Sequence, residues 1–268
     1  MDSRVIQELN RIGQSSKYVR PPEQKSVQEI LRACMSLLFP HYYDHNGNTQ
    51  EEDLEYIREE LTLQIVKAFA FQGAAGKDAA DIAERFITGL PDVKRILLTD
   101  VQAIYEGDPA AVDQGEVIIT YPGFYAIMVY RLAHLLNTLQ VPYLPRMMSE
   151  LAHSRTGIDI HPGAVIGAYF CIDHGTGVVI GETAVLGHRV KLYQGVTIGA
   201  RSFVLDEAGN PVKGGKRHPD IGDNVVIYSN ATILGGDTVI GAGSTIGGSV
   251  WLTHSVEEGS WLVRDEGE

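Results

Sequence analysis

The stretch Asp159-Ile-His-Pro-Gly-Ala-Val-Ile-Gly-Ala-Tyr-Phe-Cys-Ile172 decides the fold. Aliphatic residues stand at Ile160, Ile166 and Ile172, and the series runs on through Ile180, Leu186, Leu192 and Ile198. After a break it resumes at Ile221, Ile227, Ile233, Ile240, Ile246 and Leu252. Glycine follows directly at Gly167, Gly181, Gly187, Gly199, Gly222, Gly241 and Gly247, where it supplies turn conformations that a Cβ opposes. Two steps are irregular: eight residues from Ile172 to Ile180, and seven from Ile233 to Ile240. A repeat of six is the signature of a parallel β-helix. Each hexapeptide gives one short strand and one turn, and three close a triangular coil. The aliphatic residue points inward and stacks on its equivalents above and below. A β-sandwich would instead alternate with period two over longer runs.

Upstream the period changes to that of helices. Ser26-Val-Gln-Glu29 has a capping-box pattern. Ile30, Leu31, Cys34, Leu37 and Leu38 then fall on one stripe, which Pro40 stops. A second stripe runs through Leu54, Ile57, Leu61, Ile65 and Ala68, with Gln64 as its polar member and Gly73 behind it. Asp78 to Ile87, Val93 to Tyr105, Phe124 to Leu139 and a short Met148 to His153 read as further helices. The expected organisation is α+β: a helical N-terminal domain over 1–154, then a β-helix over 155–268 with an excursion loop at 200–219 and a short tail.

The hydrophobic fraction of 44% is ample for a core, and no apolar run approaches membrane length. No secretory signal opens the chain, and Cys34 and Cys171 make no disulfide framework, so a cytoplasmic protein is expected. A net charge of −12 opposes non-specific binding to nucleic acid or anionic lipid. A phosphorylated ligand must therefore find a local site, and Lys213, Lys216 and Arg217 are candidates.

His174 is the candidate general base. A hydroxyl is a poor nucleophile at neutral pH, and a histidine within hydrogen-bond reach takes its proton as it attacks. The imidazole needs a carboxylate to fix its tautomer. Asp159 stands fifteen residues earlier, a little less than one eighteen-residue coil, which places the two on adjacent coils. Arg217 could hold a carboxylate bidentately, with His218 beside it. Asp108, in Gly107-Asp-Pro-Ala110, could equally be a plain helix break. Cys171 should point away from the coil interior and serve packing or contact. Together these groups suggest acyl transfer to a hydroxyl. There is no Walker loop or dinucleotide fingerprint.

Several motifs carry a resemblance: Asp159-Ile-His-Pro162, Asp173-His-Gly-Thr-Gly-Val-Val-Ile-Gly-Glu-Thr183, Gln194-Gly-Val-Thr-Ile-Gly199, Gly214-Gly-Lys-Arg-His-Pro219 and Tyr121-Pro-Gly-Phe-Tyr125. The chain resembles a serine O-acetyltransferase of the hexapeptide-repeat acyltransferase superfamily over roughly residues 90 to 255. The resemblance implies a left-handed coil and acetyl transfer from acetyl-CoA to L-serine, with no metal. It implies His174 as base and Asp159 as its orienting partner. Asp108 and Asp173 would take the serine ammonium, and Arg217 and His218 its carboxylate. Gly199, Ala200 and Ser229 would line acetyl-CoA. It also implies inhibition by L-cysteine and a homotrimer with active sites between subunits, leaving a dimer of trimers open. Many family members end in an isoleucine that docks into the sulfhydrylase. Glu268 cannot imitate that anchor, so the complex is not expected.

Three rivals remain. Another acetyltransferase, acting on a sugar or xenobiotic hydroxyl, would share fold and base. A metal-dependent hydratase would need three histidines, for which His161, His174 and His188 are conceivable. Against a scaffold without activity stands the intact pair of Asp159 and His174.

Overall fold

The computed structural model describes residues 2–12, 19–74 and 78–263, save the side chains of residues 2, 3 and 10. Residues 264–268, on which the sulfhydrylase expectation rests, lie outside the described residues.

The expected inward series forms the core of a left-handed parallel β-helix. Its first face stacks β1 (Asp159–Ile160), β4 (Val179–Ile180), β7 (Thr197–Gly199), β10 (Thr232–Leu234) and β13 (Trp251–Leu252). The second stacks β2 (Val165–Ile166), β5 (Val185–Leu186), β8 (Asp220–Ile221) and β11 (Val239–Ile240). The third stacks β3 (Cys171–Ile172), β6 (Lys191–Leu192), β9 (Val226–Ile227), β12 (Thr245–Ile246) and β14 (Trp261–Leu262). Every pairing is parallel, and the register sets Ile160 on Ile180, Ile198, Ile233 and Leu252. All residues of the series are buried. Each contributes on the order of 1.5–3 kcal/mol relative to exposure. The left-handed wind departs from the usual right-handed crossover. Its corners carry residues in the left-handed region: Tyr169, Arg189, Asn224, Asn230 and Ser249, with φ between 56° and 59°.

Among the described residues seven helices precede the coil: α1 (Asp2–Ile12), α2 (Gln24–Leu38), α3 (Gln50–Gln72), α4 (Ala79–Gly107), α5 (Gln114–Thr120), α6 (Pro122–Thr138) and α7 (Leu144–Thr156). Two expectations need correction. The capping box lies at Thr49–Glu52 on α3, not at Ser26, which is inside α2. Pro21 and Pro22 precede the earlier start of α2, and the Glu23 N–H is satisfied by the Gln64 side chain at 2.9 Å. The segments 78–87 and 93–105 are one helix, α4, which runs through Pro91. Tertiary packing overrides the local break there: Leu90 and Val93 are buried on either side of Pro91.

A buried weld fixes the helices to the first coil. Arg131 on α6 pairs with Asp100 on α4 and donates to the carbonyls of Ile166 at 2.5 Å and Gly167 at 2.6 Å. Asp100 also accepts from the Phe170 N–H at 2.9 Å. Burial raises the Asp100 carboxyl to about 6 against the pull of Arg131. At the start of α6, Gly123 sits against the Ile172 carbonyl so closely that any Cβ would collide with it. These contacts hold the C-terminal end of α4, and so Asp108, against β3.

Candidate active site

The eight-residue step between Ile172 and Ile180 makes an enlarged corner between the third face and the first. His174 sits on it with φ 57°, followed by Gly175 and Gly177 at φ 92° and 82°. The residue takes the same left-handed conformation as Tyr169, Arg189 and the other corner residues of the coil. Its side chain is 72% exposed. The Asp173 carboxylate lies 3.8 Å from His174 Nε2.

Asp108 arrives at this corner from the helical region as the C-cap of α4. It accepts from the Tyr121 hydroxyl at 2.6 Å and from the Ala110 N–H at 2.8 Å. The Tyr121 bond, then the Ala110 bond, hold the carboxyl below its usual range, with Lys191 and His174 adding positive field. It therefore stands as an anion beside His174. Lys191, on the coil below, donates to the Gly107 carbonyl at 2.7 Å and lies 3.4 Å from Asp173 Oδ2. Its ammonium also lies 4.6 Å from the Tyr193 ring centroid. Lys191 thus joins the end of α4 to the corner of the coil. Cys171 points outward as expected, but burial under the end of α4 pushes its thiol up to about 12, so it is no nucleophile at neutral pH.

The basic pair occupies a different corner, between the first and second faces. Arg217 pairs with Glu182 and donates to the Gly215 carbonyl at 3.3 Å. The Arg217 bond holds Glu182 below its usual range. His218 is buried, and burial first, then Arg217, push its ring down to about 4. It is neutral at physiological pH. The excursion before it folds back on itself at the Leu205–Pro211 bridge and is exposed from Arg201 to Lys216.

Within one chain the structure therefore gathers Asp108, Asp173 and His174, and separately Arg217 and His218. At about 3.3 Å per residue, the path along the first face from Gly177 to Glu182 spans roughly 16 Å, more than one amino acid bridges. Gly199 and Ala200 lie on the Arg217 corner, and Ser229 on the His174 corner. Asp159 begins β1, and no hydrogen bond or ion pair joins it to His174 among the described residues. Its carboxylate lies instead with Glu150 and His153, their ligand atoms all within 4.8 Å of one another. His161, His174 and His188 follow β1, β3 and β5, so they stand at three different corners and do not converge within the chain.

The chain is 48% identical over 266 residues to the plasmid serine acetyltransferase of Synechococcus elongatus, covering 92% of this chain and 83% of the relative. It belongs to the serine acetyltransferase family. Its fold is also similar to Entamoeba histolytica serine acetyltransferase 1 in complex with L-cysteine, with a TM-score of 0.75 and 38% identity over 88% of this chain and 86% of that one. Soybean serine acetyltransferase complexed with serine gives a TM-score of 0.63 and 28% identity, covering 91% of this chain and 98% of that one. No protein-family model matches the chain.

The contacts that Tyr121, Glu182, Thr183 and Lys191 make at the two corners of this serine acetyltransferase were not anticipated from the sequence. Lys191 was within reach of it: writing the repeat as coils places Lys191 on Cys171, beside Asp173. Tyr121 and Thr183 stand inside motifs that carry the resemblance, yet nothing in the spacing says what their hydroxyls bond.

Proposed function

We propose that this serine acetyltransferase uses His174 to deprotonate the L-serine hydroxyl as it attacks the thioester carbon of acetyl-CoA. O-Acetyl-L-serine and CoA are the products. The observation that carries the roles is the convergence of two carboxylates, Asp108 and Asp173, on the corner that bears His174. Serine is a zwitterion, so its ammonium needs anions beside the base, and its carboxylate needs the cation and N–H donor of Arg217 and His218. A sugar hydroxyl would need neither.

The two corners meet when neighbouring chains pack their first faces about a threefold axis, so each site takes His174 from one chain and Arg217 and His218 from the next. A homotrimer follows, and pairing of two trimers through the helices is compatible with it. Acetyl-CoA would run between chains past Gly199, Ala200 and Ser229. The helical domain over 1–154 supplies Asp108 and the β-helix domain over 155–268 supplies His174, so one serine site draws on both. Asp159, which begins β1 one coil before the His174 corner, is assigned the role of orienting the His174 imidazole. L-Cysteine, which differs from serine only in its thiol, competes for the same groups. No described helix is long and apolar enough to cross a membrane. The two free, buried cysteines suit a reducing cytoplasm.

The test is CoA release from acetyl-CoA with L-serine, L-homoserine, O-phosphoserine, a galactoside and chloramphenicol. Turnover restricted to L-serine supports the assignment. Preferred turnover of an acceptor without an ammonium and a carboxylate overturns the roles of Asp108, Asp173 and Arg217.

A further inference from the structure

Thr183 is the hub of the Arg217 corner. Its Oγ accepts from the Arg217 N–H at 3.0 Å and from the His218 N–H at 3.1 Å. The same Oγ lies 2.8 Å from His218 Nδ1, and the Thr183 N–H donates to that nitrogen at 3.1 Å. A hydroxyl has two lone pairs and one proton. Both lone pairs are engaged by backbone N–H groups, so its proton points at Nδ1. The Thr183 N–H also points at Nδ1, so that nitrogen is an acceptor and carries no proton. The ring's proton is then on Nε2. Among the described residues Nε2 has no hydrogen-bond partner, and it is not among the sealed polar atoms of the chain.

We propose that Thr183 is a positioning residue that fixes His218 as the Nε2-protonated neutral tautomer, making it a directed N–H donor to the serine carboxylate. The inference rests on the substrate reading above for its acceptor, but not for the tautomer. It explains why a second donor is needed at all. Glu182 already takes one guanidinium nitrogen of Arg217, so Arg217 alone cannot offer its full fork to the substrate. The charged groups facing His218 are Arg217, Lys216, Glu182 and His161. The cations and the burial oppose protonation, and Glu182 does not outweigh them. The donor therefore persists across the neutral range and does not switch to an imidazolium. One Thr183 hydroxyl also anchors the backbone of both recognition residues at the end of the excursion.

Nitrogen NMR of the full-length protein with ¹⁵N-labelled histidine tests the tautomer directly, with the His218 resonances assigned by their loss in His218→Gln. Protonated Nε2 with bare Nδ1 from pH 7.5 down to about 5.5 is expected. A proton on Nδ1, or an imidazolium at pH 7, overturns the inference whether or not serine is the substrate. The role is tested by Thr183→Val, close in shape but without the hydroxyl, and by Thr183→Ser. The KM for L-serine should rise about tenfold in Thr183→Val, equivalent to about 1.4 kcal/mol. The KM for acetyl-CoA should hold, and Thr183→Ser should recover the serine KM. An unchanged serine KM in Thr183→Val refutes the positioning role. If Thr183→Val does not fold, the wild-type tautomer and the Thr183→Ser kinetics still decide. Wild-type protein that shows the tautomer but does not turn over serine refutes the substrate reading alone.

Discussion

Replacing Gly181 by alanine tests the recognition corner with one methyl group. A Cβ at position 181 would fall inside the imidazole of His218, against Cδ2, Nε2 and Cε1. Carbon atoms at contact stand about 3.5–4.0 Å apart, so the ring must move by more than an ångström. The Nδ1 bonds to Thr183, at 2.8 and 3.1 Å, do not survive such a shift. Two neutral hydrogen bonds lost cost about 2 kcal/mol net, and overpacking adds roughly 1–3 kcal/mol. Backbone entropy returns only about 0.4–1 kcal/mol, since Gly181 is not in the left-handed region. The variant should be destabilised by about 2–4 kcal/mol. A donor misplaced by an ångström should lower kcat/KM for serine by roughly 100-fold. Gly215→Ala is the control, because a Cβ there meets open space and its φ is not positive. The assays are denaturant midpoints and CoA release at varied serine. Wild-type stability and wild-type kcat/KM in Gly181→Ala would refute the packing of His218 on Gly181.

His174→Ala should lower kcat by roughly 10²–10⁴-fold with the oligomer intact; a near-normal rate removes His174 as the base. Asp159→Asn should reduce kcat more than it raises the serine KM; a pure binding defect contradicts an orienting role. His218 adds a pH dependence to stability. Its ring titrates at about 4 folded against 6.5 as the reference value, so between these the unfolded state binds more protons. The stability it contributes is fully present above about pH 6.5 and is lost as pH falls toward 4. Unfolding midpoints should therefore fall less steeply from pH 7 to 4.5 in His218→Gln than in the parent. Equal slopes contradict a buried neutral ring.

The coil was legible because the same demand recurs at every turn of the chain. One aliphatic residue in six must face inward, and each such position expected from Ile160 to Leu252 is buried in the register found. The eight-residue step was visible too, and it marks the corner where His174 stands. The site was legible only as far as its motifs reach. Lys191 reaches the Gly107 carbonyl across 84 residues of sequence, a contact that depends on how α4 docks on β3. The Ser26 capping pattern misled because a cap is a local preference, and here Gln64, 41 residues from Glu23, satisfies the helix start. The segments 78–87 and 93–105 read separately for a similar reason: what joins them through Pro91 into one helix is the packing of Leu90 and Val93, which local pattern does not show.

Subunit mixing tests most directly the claim that one serine site is built from the His174 corner of one chain and the Arg217 corner of the next. His174→Ala and Arg217→Ala proteins, each inactive alone, are unfolded together in equal amounts and refolded, and CoA release with L-serine is measured. If sites form between chains, an interface that draws His174 from one variant and Arg217 from the other is intact. Random assembly then restores about a quarter of the wild-type rate. If each chain holds its own complete site, every site in the mixture carries a lesion, and no activity returns.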